Sequence, residues 1–334
     1  MTRAYNTATT QQNSGGAVAG FTAGKNKIIN GDFNIWQRGT SFSSINGIYT
    51  ADRWMGATNK TVTVSQQTFT PGTAPVSGYE GTYFLRIAQS ASGSYCAIQT
   101  RLEDVRLFAG QTVTLSFWAK ADATVANKAG IVQIFGTGGS ANVDNYSSSF
   151  NITTSWARYT YTIALGSISG KTIGTNSYLN IQPILTEDAL AHTIDIWGVQ
   201  LEVGPVATPF QTATGTIQGE LAACYRYFQK FGGTQINESF PYIGFSYSTT
   251  QGEGPLTHKC TMRTTPSLAF STLKISDVAT YNLAVTNLTL TSSGSGPDAS
   301  YLVFTVASGT SSGKINYMRT DATTAGYLYL SAEL

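Results

Sequence analysis

Over much of the chain, apolar and polar side chains alternate one for one. The segments "TVTVSQQTF" (61–69), "YFLRIAQS" (83–90), "QTVTLSFWAK" (111–120), "GIVQIFG" (130–136), "RYTYTIAL" (158–165), "YLNIQPIL" (178–185) and "TIDIWGVQLEVG" (193–204) all carry this period. A period of two sets one face of a strand against a core and the other in water. Turn-forming clusters separate the segments, as in "TPGTAPVSGYEG" (70–81), "GTGGSANVDN" (136–145) and "GSISGKTIGTNS" (166–177). Strands punctuated in this way predict an antiparallel, jelly-roll-like β-sandwich over residues 25–212. A parallel sheet would need long helical crossovers, and the spacing leaves no room for them.

One stretch has a different period. In "TIQGELAACYRYFQKFGG" (216–233), Ile217, Leu221, Cys224, Tyr225 and Phe228 fall on one helical face. Thr216 suits the N-cap, and Gly232–Gly233 suit the end. This predicts a short connecting helix within 213–233. Alternation then resumes in "YIGFSYSTT", "TLKISDVATYNLAVTNLTLTS", "SYLVFTVAS", "KINYMRTD" and "GYLYLSAEL", predicting a second, smaller β-sandwich over 234–334. The expected fold is therefore all-β, with two antiparallel sandwiches joined by a short α-helix. Residues 1–24 have no sustained period and cannot bury enough apolar surface to offset their ordering entropy. They read as a tail that becomes ordered on docking.

Composition sharpens this picture by exclusion. Charged residues make up only 11% of the 334, against roughly 25% in ordinary soluble domains. Thr, Ser, Gly, Asn and Gln supply the polarity, which favours strands and turns over exposed helices. A net charge of +2 gives no electrostatic reason to expect nucleic acid or an acidic membrane as partner. Cys96, Cys224 and Cys260 are too scattered for a disulfide framework or a CxxC zinc site, and are expected as reduced, mostly buried thiols. No apolar run is long enough to span a membrane, and no basic-led hydrophobic segment suggests a secretory signal.

Near the start, "NGDFNIWQRGTSF" (30–42) reads as an Asn-Gly-Asp turn into a first strand beginning at Phe33, and "YTADRWM" (49–55) follows. Trp54, Trp118 and Trp197 lie in alternating text and are expected in a core, whereas Trp36 fits core or ligand contact equally. Arg38 and Arg53 are expected to stack on aromatics or to pair with Asp32 or Asp52. Together with "FWAKA", "GVQLEVGPVATPF" and "ELAACYRYFQK", these segments resemble a recurrent module of bacteriophage tail fibres and receptor-binding proteins. The first part of that module is similar to jelly-roll carbohydrate-binding modules. The matching text runs from Asn26 to Lys230, and a similar terminal domain carries "MRTTPSLA" and "YLYLSAEL".

The resemblance implies a virion protein, made in a host cytoplasm and assembled as a homotrimer. Its N-terminal tail would join other tail or adaptor proteins, and its sandwiches would meet a host-surface polysaccharide. Carbohydrate-binding jelly rolls often hold a structural calcium, the only cofactor suggested. By position, Asp32 and Asp195 match that pattern, with Asn30 and Glu202 nearby. Asn34 stands where a Glu is common, and turn-forming Asx residues without an ion are the alternative.

Sugars are held by exposed aromatic rings flanked by amides and carboxylates. The loop candidates are Tyr146 with Asn142, Asp144 and Asn145, then Tyr79, and Tyr242 and Tyr247 in the terminal domain. Catalysis is not expected. Glu103-Asp104 and Glu187-Asp188 are sequence neighbours, which face opposite sides of a strand and so cannot flank a glycosidic bond as a pair. No hydrolase, zincin or phosphate-loop motif occurs. A structural fibre or decoration protein that reads no receptor is the rival, and a glycan-degrading tailspike ranks behind it.

Overall fold

The computed structural model describes residues 24–76, 79–277, 282–323 and 325–334, so all but the last residue of the expected attachment tail lies outside the described residues. Two antiparallel sheets form the first body. The first sheet contains β1 (Ser41–Ser43), β3 (Val62–Thr68), β4 (Tyr83–Gln89), β12 (His192–Val203), β6 (Thr112–Ala121) and β10 (Ala157–Ala164), in the order β1-β3-β4-β12-β6-β10. The second contains β2 (Met55–Thr58), β5 (Cys96–Leu102), β11 (Tyr178–Thr186), β7 (Val125–Ile134) and β8 (Val143–Tyr146) in the order β2-β5-β11-β7-β8, while β9 (Phe150–Ile152) also pairs with β7. Between them lies one apolar core, in which Leu85, Ile87, Leu115 and Ile196 of the first sheet meet Ile98, Ile131, Leu179 and Ile181 of the second. Every segment that alternates strongly in 61–204 is a strand or most of one. The strand β5 escapes the period because it opens on the apolar run Cys96-Ala97-Ile98.

The opening motif departs from expectation. No strand begins at Phe33: residues 29–32 form a turn, and Asn30 and Phe33 both adopt left-handed φ values, 57° and 56°. Asn30 stabilises this loop from within. Its side chain accepts from the Ile35 amide (2.9 Å) and donates to the carbonyls of Ile35 (2.9 Å) and Asp52 (3.0 Å). Trp54 is fully buried against Phe33 and donates its indole N–H to the Asn30 carbonyl (2.9 Å).

The helix α1 (Ile217–Tyr225) is shorter than predicted. Thr216 caps it, its hydroxyl accepting from the Gly219 amide at 3.0 Å. The buried residues are Glu220 and Cys224, whereas Ile217 is exposed, so the predicted apolar stripe does not face a core. Glu220 instead closes backbone donors, accepting from Asn30 (2.7 Å) and Thr214 (2.7 Å). Phe228, assigned to the helical face from sequence, begins a strand, β13 (Phe228–Gly232).

The terminal region corrects the prediction of a second sandwich. Strands β14 (Ser239–Ser246), β15 (Gln251–Thr257), β19 (Ala299–Val306), β18 (Asn282–Leu290), β17 (Leu273–Ser276) and β20 (Ile315–Thr320) close into a barrel. Beside it, β13, β21 (Tyr327–Ser331) and β16 (Ser267–Ser271) form a three-stranded sheet. Glycines permit the closure: a Cβ on Gly254 would lie 2.4 Å from the Gly244 Cα, so β14 and β15 can cross this closely only without side chains there.

Arginines of the opening motif fasten this terminal region to the first body. Arg53, almost wholly buried, pairs with Glu333 and stacks on the Tyr227 ring at 3.5 Å. Arg38 stacks on Phe228 at 3.6 Å, bonds to Glu333 at 3.0 Å and lies 3.8 Å from Asp52. Arg101 donates to the Leu334 carbonyl, and Arg263 donates to the carbonyls of Ala332 (2.7 Å) and Glu333 (2.8 Å) and to Asn176 (3.1 Å). The conspicuous Trp- and Arg-bearing motif is a fastening, with aromatic stacking and ion pairing as expected, but its main acid is Glu333.

Candidate functional site

The outer face of the second sheet carries the chemistry expected of a sugar site. Ile98, Ile131 and Ile181 point into the core, so their neighbours Ala97, Gln99, Gly130, Asn180 and Gln182 point away from it. A β-bulge in β11 around Pro183 shifts the register against both neighbours. Asn127 holds the bulge, donating to the Pro183 carbonyl (3.1 Å) and accepting from the Leu185 amide (2.9 Å). The extra residue re-aims the strand, so that Gln182 and Leu185 both line the same concavity.

That concavity has a volume of about 580 Å³ and is lined by Tyr95, Lys128, Tyr146, Gln182, Leu185 and Glu187 among others. At its floor Gln182 heads a row of amides, whose other two members lie outside the lining. Gln99 Oε1 accepts from Asn180 Nδ2 and Gln182 Nε2, both at 2.9 Å, which fixes the two donors' orientation. This leaves Asn180 Oδ1 and Gln182 Oε1 buried, with no hydrogen-bond partner among the described residues. Buried acceptors without partners are costly in a finished core, and Gln182, the one of the three that lines the concavity, brings its amide to the wall. Two rings flank the floor, Tyr95 at 38% and Tyr146 at 41% exposure. Tyr146 lies over Gly130: a Cβ there would come within 2.4 Å of its ring, so the glycine sets the tyrosine's height. Burial, with Asp144 and Glu187 close by, pushes its phenol up, keeping it a neutral donor at physiological pH. At the rim, Lys128 and Glu187 neutralise each other at 2.6 Å.

Of the residues nominated from sequence, only Tyr146 reaches this concavity. It sits on the edge strand β8 rather than in a loop, with exposed Asp144 two residues away on the same face. Asn145 is turned the other way, donating to the Ile131 carbonyl at 3.1 Å, and Asn142 is exposed just before the strand. Tyr79 is half-buried among aromatics, 5.4 Å from both Trp197 and Phe210. Tyr242 is fully buried in the barrel and is corrected from loop candidate to core residue, because β14 alternates and its even-numbered positions point inward. Tyr247 is 42% exposed at the barrel, far along the chain from the amide floor. Sequence reasoning missed Tyr95, Gln99, Asn180 and Gln182. Their only signal was amides at outward positions of strands.

The proposed calcium ligands do not come together. Asp195 gives both oxygens to Arg86, at 2.7 and 2.8 Å. Glu202 accepts from the Thr208 amide and hydroxyl, each at 2.8 Å, and Asn30 is satisfied by its own loop. Asp32 is raised to about 6, by burial first and then by Glu220 nearby. Among the described residues no group of three or more His, Cys, Asp or Glu side chains is placed to hold a metal, and this donor set does not fit one. The tryptophan expectations were closer. Trp54 packs in the main core, whereas Trp118 and Trp197 are buried in a separate aromatic cluster on the outside of the first sheet, roofed by Phe69 and Phe210. Trp36 is half-buried and donates to the Phe33 carbonyl at 2.7 Å, a structural role.

No curated protein sequence matches the chain. Among solved structures, a CBM4 module is similar at 17% identity and a TM-score of 0.32, covering 53% of this chain and all of that one. A xylan-binding CBM22 domain from Paenibacillus barcinonensis Xyn10C is similar at 14% identity and a TM-score of 0.32, over 50% of this chain and 95% of its own. The enzymatically active domain of bacteriophage CBA120 tailspike protein 4 is similar at 14% identity and a TM-score of 0.35, covering 54% of this chain and only 22% of the tailspike. Residues 25–180, just under half of the chain, match the family described as carbohydrate binding domain, CBM_4_9, and supply most of the strands of the two-sheet body.

Proposed function

We propose that the chain binds a neutral glycan on the outer face of its second sheet, without cleaving it, as the adhesive part of a phage tail fibre. The observation that carries the reading is the concavity itself, in which an amide lies between two exposed rings. Gln182, oriented by Gln99, lines it together with exposed Tyr95 and Tyr146. The tyrosine rings would stack on the apolar face of a sugar, and the amides would read its hydroxyls. Because Lys128 and Glu187 cancel at the rim, the site favours an uncharged sugar.

Attachment to a virion follows from the resemblance in 26–230 and the terminal segments. A homotrimer would multiply weak single-site contacts, raising avidity by about 10² to 10⁴ without new ones. Ile243, Phe245 and Ile315 support such an assembly: they are 68%, 45% and 70% exposed on adjacent barrel strands, with Phe245 directly opposite Ile315.

The test is binding of purified chain to an array of neutral and host-envelope glycans, followed by titration with Tyr146→Ala. Binding lost in the variant supports the reading. Failure to bind any glycan or host cell returns the chain to the structural or decoration class, and release of sugar from host envelope would make it a tailspike enzyme. Mass in solution tests the trimer.

A further inference from the structure

On the opposite broad face of the sandwich, the first sheet aligns five positions in one cross-strand row. Ser65 of β3 faces Arg86 of β4, Arg86 faces Asp195 of β12, and Asp195 faces Lys120 of β6. Because Ala157 pairs with Ala119, Trp156 comes next to Lys120, whose Nζ lies 5.5 Å from the indole centroid. These side chains point away from the core, since Leu85, Ile87, Ala119, Ile194 and Ile196 point into it. At about 4.8 Å between strands, the row spans about 19 Å, the length of a short oligosaccharide.

The charges along this row do not balance. Arg86 and Lys120 share a single carboxylate, and both oxygens of Asp195 already accept from Arg86. Lys120 Nζ is 3.7 Å from the nearer oxygen, beyond hydrogen-bond range, so its N–H groups have no acceptor among the described residues. Both cations remain reachable, with Arg86 36% and Lys120 34% exposed. Trp156 is half-buried and held by Phe84, edge-on at 5.6 Å, and by Phe69 at 5.6 Å, which limits the ordering cost of using its free surface.

We infer that this row is a second carbohydrate site, selective for glycans bearing carboxylates, with Trp156 as the stacking platform and Lys120 and Arg86 as the partners of a uronic-acid group. The indole selects a sugar ring over a bare anion, and the surplus positive charge selects an acidic sugar over a neutral one. The two faces of the sandwich would then read different units of a mixed polysaccharide.

The test uses the full chain with trimers of galacturonate, glucuronate and mannuronate, their methyl esters, and inorganic phosphate, followed by calorimetry. At least one acid trimer is expected to bind, about tenfold more tightly than its ester and more weakly as salt rises. Lys120→Ala should abolish the preference for the acid, Lys120→Arg should restore it, and Trp156→Ala should weaken acid and ester alike. Tyr146→Ala should change nothing here, which separates this site from the amide floor. The inference is overturned if no acid trimer binds, if acid and ester bind equally, if phosphate competes as well as the sugar, or if Tyr146→Ala removes the binding.

Discussion

Two regions of this molecule are built from the same materials, aromatic rings beside hydrogen-bonding side chains, and they do opposite things. Around Glu333, Arg38 and Arg53 stack on Phe228 and Tyr227 and find their acid within the chain. On the outer face of the second sheet, Tyr95 and Tyr146 remain exposed beside Gln182 in one concavity. What separates a fastening from a binding face is thus not residue type. It is whether the rings are covered from within the chain or left open to solvent. The difference also explains why the most conspicuous motif in the sequence, residues 30–54, is structural, while the candidate site lies in plainer text.

The sharpest way to break the comparison is to attack the fastening. Glu333→Gln leaves Arg53 buried without its carboxylate, and should cost about 3–5 kcal/mol in urea unfolding while glycan affinity stays unchanged. Loss of binding together with stability would mean that the fastening shapes the amide floor. In the reverse direction, Tyr146→Ala should weaken glycan binding about tenfold, roughly 1.4 kcal/mol, and leave the unfolding midpoint nearly unmoved. Gly130→Ala, which drives a methyl into the Tyr146 ring, should mimic that loss in part.

A pH series sharpens the contrast further. Asp32, buried near Glu220 with one oxygen unpartnered, has its carboxyl raised from 3.8 to about 6. The folded chain therefore holds this proton more tightly than the unfolded chain does. Its contribution is fully present below pH 3.8 and is lost as pH rises through about 6. Asp188 has the opposite sign. Burial raises it, but Lys60, the Leu190 amide and His192 prevail and hold it at about 2, so its contribution is lost only as pH falls below 3.8 towards 2. Asp32→Asn should flatten the decline between pH 4 and 6, measured as the unfolding midpoint against pH; an unchanged slope would refute the assignment. The smallest expected effect is Thr216→Ala, about 1 kcal/mol from a lost helix cap at α1, with no change in binding.

Legibility in the sequence followed the range of the interaction. Strands β3, β4, β6, β10, β11 and β12 could be read because apolar and polar side chains alternate along each, a local property that holds even where, as in β6, β11 and β12, both faces are buried. The strand β5 opens on the apolar run Cys96-Ala97-Ile98 and has no such alternation. Tyr146 was readable as an aromatic among Asn and Asp, but its partners were not. Gln99 and Gln182 are 83 residues apart and meet only through the pairing of β5 with β11. Trp156 likewise gains its neighbour Lys120 from the register of β10 on β6. The barrel and a sandwich have the same alternation, so the sequence does not separate them; closure depends on how tightly β14 and β15 curl, which Gly244 and Gly254 permit.

The all-β character, the antiparallel strands, the capped start of α1 and the burial of Trp54, Trp118 and Trp197 are written in the local text, because periodicity, turn chemistry and apolar area act over a few neighbouring residues. That Arg53 finds Glu333 280 residues away, that Asp195 pairs with Arg86, and that Gln99 orients Gln182 emerge only when the chain is folded. Those outcomes depend on strand register and on the docking of distant segments, and hydrogen bonds and ion pairs act only over a few ångströms once those have been set.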